Sequence, residues 1–297
     1  MHISVLLEES IRYLNLKKDS IIVDCTLGYG GHSSEILKNI KEGFLYAFDQ
    51  DSEAIVNAEK KLKKIGNNYK IINKNFVNID EIDTNVDGIL FDLGVSSPQL
   101  DEDYRGFSFH KDAKLDMRMN QNQELSAHEV VNNYPLNKLI EIFKTYGEEK
   151  YSVPIAKAIV KNRPINTTLE LSEIIKKSVP ESYRRKSHPA RKIFQAIRIE
   201  VNDELNIFEK TLRLSLNKLN LNGRICVITF HSLEDRICKE IFKEVSTVKK
   251  ELQNLPIIPE EYKPKYKIIA NIKPKDQEIK NNKRSRSARL RVIERVK

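Results

Sequence analysis

The chain has 297 residues and a formal net charge of +9, from 51 Lys and Arg against 42 Asp and Glu. That length is enough for one large domain with an insertion, or for two domains, with no disulfide or metal needed to hold a core. Three scattered cysteines, Cys25, Cys226 and Cys238, form no C-x-x-C pair, and no signal peptide or membrane-length apolar run is visible; a cytoplasmic protein with no metal site and no membrane partner is expected.

Short β-branched runs at residues 20–24, 44–48, 69–72 and 88–91 read as strands. Helical patterns at residues 33–40 and 52–65 separate them. That alternation predicts βαβ units and a mainly parallel sheet with right-handed crossovers. From residue 108 to about 201 the pattern turns helical. Ser126 with Glu129, and Thr167 with Glu170, carry the spacing of capping boxes. Leu136, Leu139, Ile140 and Phe143, then Ile155, Ala156, Ile159 and Val160, recur with helical period. Pro154 falls where it can occupy or kink a first helical turn. The strand pattern returns at residues 223–230, with a helix over 233–245, a Pro-studded loop over 254–264, and strands at 266–271 and 289–295. The expected organisation is an α/β domain of residues 1–108 and 202–297, interrupted by a helical insertion at 109–201.

Two features point to a nucleoside cofactor. Gly28, Gly30 and Gly31 follow the first strand and open a helix, a place where backbone can approach a ligand and helix N–H groups face it. Asp49 ends the second strand 19 residues after Gly30, where a carboxylate can accept hydrogen bonds from both ribose hydroxyls. A dinucleotide fingerprint would want a further glycine near residue 33, where the chain has Ser33. An NAD enzyme is the rival reading, and preference for one cofactor over the other in calorimetry would separate them.

The runs 26–33, 92–99, 105–109, 115–119, 144–149, 188–190, 194–196 and 229–236 appear in a specific order. In these the chain resembles the bacterial 16S ribosomal RNA cytosine-N4 methyltransferases, from His2 to the basic C-terminus. The resemblance implies a Rossmann-like class I methyltransferase sheet carrying an inserted all-helical, substrate-binding domain. It implies S-adenosylmethionine as cofactor, and 16S rRNA of the small ribosomal subunit as partner, with a cytidine near the decoding centre as acceptor. Gly30, Gly31 and His32 match the glycine-loop contacts to the cofactor, Asp49 the ribose-binding acid, and Phe76 a residue lining the adenine pocket. Asp92 and Gln99 match the remaining cofactor contacts. Two positions depart from the pattern: Lys192 stands where Arg is usual, and Ser4 where Pro is frequent. A monomer or weak homodimer is expected.

The chemistry narrows the roles. A cytosine N4 lone pair is delocalised into the ring, so an oxygen that accepts an N4 hydrogen favours the geometry needed for attack. Asp92, at the end of the fourth strand, is the leading candidate for that catalytic acceptor, with cofactor binding or loop capping as its other readings. C5 methylation would need a nucleophilic cysteine, whereas Cys226 sits mid-strand among apolar neighbours. His231, Glu234, Asp235 and Arg236 follow the fifth strand; they serve either the substrate or the start of a helix with Ser232 as N-cap. Basic stretches at residues 184–192 and 283–291 suit phosphate, or else are solvated surface.

Overall fold

A computed structural model describes residues 4–95, 103–185, 188–248, 250–252 and 258–297. The chain divides into one unit of Met1–Gly94 with Leu205–Lys297 and a second of Val95–Glu204. The first unit is built on seven strands: β1 (Ile21–Asp24), β2 (Phe44–Phe48), β3 (Tyr69–Ile72), β4 (Val86–Asp92), β5 (Leu219–Thr229), β6 (Tyr266–Ile272) and β7 (Arg289–Arg295). Their order is β3-β2-β1-β4-β5-β7-β6. Strands β1 to β5 pair in parallel, and β7 runs antiparallel between β5 and β6. This is the expected α/β, Rossmann-like sheet. The order reverses between β1 and β4, and in open sheets of this kind the crevice beyond such a reversal is where ligands bind.

Alternation along the strands explains why the sheet needs cover on both sides. Val23, Phe91, Ile225 and Val227 enter one apolar cluster. Their neighbours Ile22, Leu90, Cys226 and Ile228 enter another. Period-2 geometry sends consecutive side chains to opposite faces, so near-continuous apolar strands mark a sheet buried twice. Helices α1 (Leu7–Leu14), α2 (Gly31–Asn39) and α3 (Ser52–Leu62) supply Leu14, Ile36, Leu37, Ala58 and Leu62 to the second cluster. Each such large side chain contributes about 1.5–3 kcal/mol by leaving water.

The second unit holds α4 (Ala127–Asn133), α5 (Leu136–Thr145), α6 (Ser152–Lys161), α7 (Thr168–Lys177), α8 (Glu181–Arg184) and α9 (Ala190–Asn202). Leu139, Phe143, Ile155, Ile159, Leu171, Ile175, Ile193 and Ile197 form its core at helical spacing. Thr167 and Glu170 make a complete capping box. Ser126 accepts the Glu129 N–H at 3.4 Å, and Pro154 falls in the first turn of α6. Gly147 lets two helices approach: a Cβ there would lie 2.7 Å from the Phe143 carbonyl oxygen and 3.0 Å from that of Lys192.

Both domain boundaries move from where the sequence placed them. Phe107, Leu115 and Met117 belong to the helical core, so the insertion begins at Val95 rather than after residue 108. At the other end the unit runs to Glu204, not 201. Helix α10 (Glu204–Lys218) follows at once and lays Phe208, Leu212 and Leu216 on the sheet; neither it nor α1 is among the elements expected from the sequence. Helix α11 (Ser232–Ser246) and the short α12 (Asp276–Asn281) complete the first unit. Residues 254–257 of the Pro-studded loop lie outside the described residues.

Candidate active site

The loop after β1 is tied down on two sides. Cys25 N–H donates to the Leu90 carbonyl at 2.9 Å and Leu27 N–H to that of Phe48 at 2.9 Å, joining it to β4 and β2. Gly28 and Gly30 adopt positive φ of 49° and 72°, a region that glycine enters without steric cost. Gly30 also lies under α3, where a Cβ would sit 3.2 Å from Ala58 Cβ. Helix α2 then starts at Gly31 with no side chain capping its N-terminus, which leaves the positive end of the helix for a ligand carboxylate. Ser4 packs against this turn: a Cβ on Gly31 would meet Ser4 Oγ at 1.9 Å. Sequence reasoning noted Ser4 only as a departure; its contact with Gly31 was not foreseen.

Asp49 sits just past β2, facing the glycine loop. Its Oδ2 accepts the Gly28 N–H at 2.7 Å and its Oδ1 the Asp51 N–H at 2.9 Å. Burial pushes its pKa up to about 6, with those two N–H donors pulling it back. Each oxygen keeps a lone pair beyond its one amide, the capacity that two ribose hydroxyls require.

Asp92 ends β4. Its backbone N–H donates to Thr26 Oγ1 at 2.7 Å. Its Oδ2 lies 3.4 Å from His32 Nδ1, and the imidazole is only 5% exposed. Burial works against a charge on His32, but Asp92, with Asp24 beyond it, outweighs burial and holds the pKa above its ordinary 6.5. Behind this pair, Asp24 is fully buried; burial raises its pKa, offset in part by the Ser33 hydroxyl, which donates to it at 2.6 Å. Ser33 is therefore engaged with Asp24 at the position where a dinucleotide-binding loop would want glycine. Among the described residues, one buried polar atom here lacks a partner: Asp92 Oδ1. Such orphans are costly, and at a strand end they mark a place shaped for a ligand.

Phe76 opens a 3-10 turn after β3 and packs edge-on to Phe91 of β4, ring centroids 5.7 Å apart. It is half-buried, so part of the ring remains available. Gly30, Gly31, His32, Asp49, Phe76 and Asp92 all belong to the sheet unit. Gln99 lies outside the described residues.

The stretch after β5 resolves toward structure for three of its four residues. The N-cap of α11 is His231, not Ser232. Glu234 reaches back to accept the Phe230 and His231 N–H groups at 2.7 and 3.2 Å. Asp235 takes Arg291 in a two-point ion pair at 2.7 and 3.0 Å, and the arginine holds its pKa below the usual range despite burial. All three cysteines are buried, and burial raises each thiol; none has the thiolate character of a nucleophile.

The basic stretches divide as well. Arg185 pairs with Glu181 at 2.6 Å on the surface, and Lys192 Nζ donates to the Glu148 carbonyl at 2.8 Å. Lys186 lies outside the described residues. In the C-terminal stretch Arg291 is committed to Asp235, whereas Lys283, Arg284 and Arg286 are exposed.

Comparison with known proteins finds relatives along the full chain. The family model described as the MraW methylase family matches residues 1–296. A protein named Ribosomal RNA small subunit methyltransferase H from Exiguobacterium sibiricum is 52% identical over 307 residues, covering 100% of this chain and 98% of its own. The protein of the same name from Mycoplasma mycoides subsp. mycoides is 52% identical over 304 residues, covering 99% and 98%. Among solved structures, an rRNA methylase from Streptococcus thermophilus aligns at 13% identity and a TM-score of 0.48, covering 100% of both chains. No helix among the described residues is long and apolar enough to cross a membrane.

Proposed function

Because this chain belongs to the MraW methylase family, a family of S-adenosylmethionine-dependent enzymes acting on ribosomal RNA, we propose that its acceptor is the N4 amine of a cytidine in 16S rRNA. The cytidine lies near the decoding centre of the small subunit. The observation that carries this reading is Asp92: one carboxylate oxygen faces buried His32, and the other is buried with no partner among the described residues.

The cofactor supplies an electrophilic methyl group for in-line displacement. Everything else falls to this chain's residues. The N-terminus of α2, at Gly31 and His32, receives the carboxylate of the methionine moiety. Asp49 accepts both ribose hydroxyls, and Phe76 lines the adenine pocket. Asp92 Oδ1 accepts an N4 hydrogen of cytosine and so turns the nitrogen lone pair toward the methyl group. His32 holds the Asp92 carboxylate in place through its Nδ1, 3.4 Å from Oδ2. The helical unit binds the RNA, which presents the cytidine unstacked. The enzyme works in the cytoplasm as a monomer or weak homodimer.

The reading is tested with small subunits from cells lacking the protein, incubated with the purified chain and isotopically labelled S-adenosylmethionine. Nucleoside mass spectrometry should find the label as N4-methylcytidine. Label in C5-methylcytidine or in a ribose methyl would reject it.

A further inference from the structure

Four aromatic rings converge in the helical unit, and nothing described so far uses them. Phe109 stacks on His188 with centroids 4.7 Å apart and planes 20° from parallel. His110 leans on Phe109 at 4.2 Å and meets His188 edge-on at 5.9 Å. Phe194, almost fully buried, closes the set from below at 5.6 Å from Phe109.

Burial grades outward through the set. Phe194 belongs to the core, Phe109 and His188 are half-buried, and His110 is exposed. The exposed His110 carries the ring cluster from the core out to solvent. His188 Nδ1 accepts the Ala190 N–H at 3.3 Å, which fixes the ring and leaves Nε2 as its remaining polar atom. Burial and His110 lower the His188 pKa, and Lys176, which pairs with Glu173 at 3.1 Å on the surface, and Arg191 add to that. Arg184 and Arg185 precede it in the chain by four and three residues.

Stacked rings under cationic side chains are the combination that binds unpaired nucleotides: bases lie on π-faces while Lys and Arg meet phosphates. We propose that Phe109, His110 and His188 form a stacking platform for one unpaired base of the RNA substrate, with Lys176 and Arg191 at its backbone. That base is distinct from the acceptor cytidine, which Asp92 takes in the other unit. The proposal rests on the ribosomal RNA reading above and adds to it a second point of recognition.

The test uses the full chain, fluorescently labelled 16S rRNA transcript and small subunits lacking the modification. His110→Ala should weaken transcript binding about tenfold or more, the scale of one lost base–ring stack. It should raise KM for subunits by a similar factor and leave S-adenosylmethionine affinity and melting temperature unchanged. His110→Phe keeps a flat ring and should bind within about twofold of wild type. Two results would overturn the platform: His110→Ala binding as tightly as wild type, or His110→Phe binding as weakly as the alanine variant. If the wild-type chain itself methylates no subunit, the RNA reading falls and the platform with it; if it methylates and only the His110 expectations fail, the RNA reading stands alone.

Discussion

Asp49 follows β2 and Asp92 ends β4, on either side of β1, yet they carry different work, and their surroundings say why. Asp49 is pushed from its ordinary 3.8 to about 6, chiefly by burial. Between those values the folded chain binds a proton that the unfolded chain does not, so this group's contribution to stability is complete below pH 3.8 and lost as pH rises through 6. Cofactor binding runs the other way, because ribose hydroxyls need the ionised carboxylate. Affinity for S-adenosylmethionine should fall about tenfold per pH unit below 6. Asp49→Asn should bind weakly and show no such slope; calorimetry from pH 5 to 8 checks both. Asp92→Asn keeps one acceptor oxygen but loses the charge that pairs with His32. Single-turnover rates at saturating cofactor should drop by ~10²-fold or more. A rate within a few-fold of wild type would leave Asp92 a binding residue only.

At the scale of elements, what was legible in the sequence had a local cause. Strands β2, β3 and β7 run over the residues their β-branched and aromatic content indicated. The Thr167 capping box is visible because both partners lie within one turn. Contacts made across the fold had no such signature. Nothing near Asp235 announces Arg291, 56 positions away in the chain, and nothing near Gly31 announces Ser4. Asp24 with Ser33, and Thr26 with Asp92, were likewise hidden, since each pair meets only once the strands align. The Arg291 pair changes what a mutation at Asp235 should do. Asp235→Ala should cost about 1–3 kcal/mol of stability, the range for hydrogen bonds to charged groups, seen as a lowered denaturation midpoint. At a temperature where the variant is folded, kcat and KM for subunits should stay within a few-fold of wild type. A large change in KM without a stability loss would return Asp235 to the substrate.

Across the whole molecule, the net charge of +9 becomes informative only where cations remain uncommitted. Arg291 is spent on Asp235 and Lys192 on a carbonyl, whereas Arg185 has only a surface pair with Glu181, which is worth ~0–1 kcal/mol and yields readily to phosphate. Reversing Arg184 and Arg185 to Glu should weaken RNA binding and flatten the plot of log K against log salt by roughly 1.4–1.8. An unaltered slope would assign them to solvated surface. The proposed function makes this chain the source of one N4-methylated cytidine in the small subunit, and mass spectrometry of 16S rRNA from cells lacking it reads that directly. N4 methylation should vanish at one cytidine, return with the wild-type chain, and fail to return with Asp92→Asn. A nucleoside profile unchanged by the deletion would contradict it.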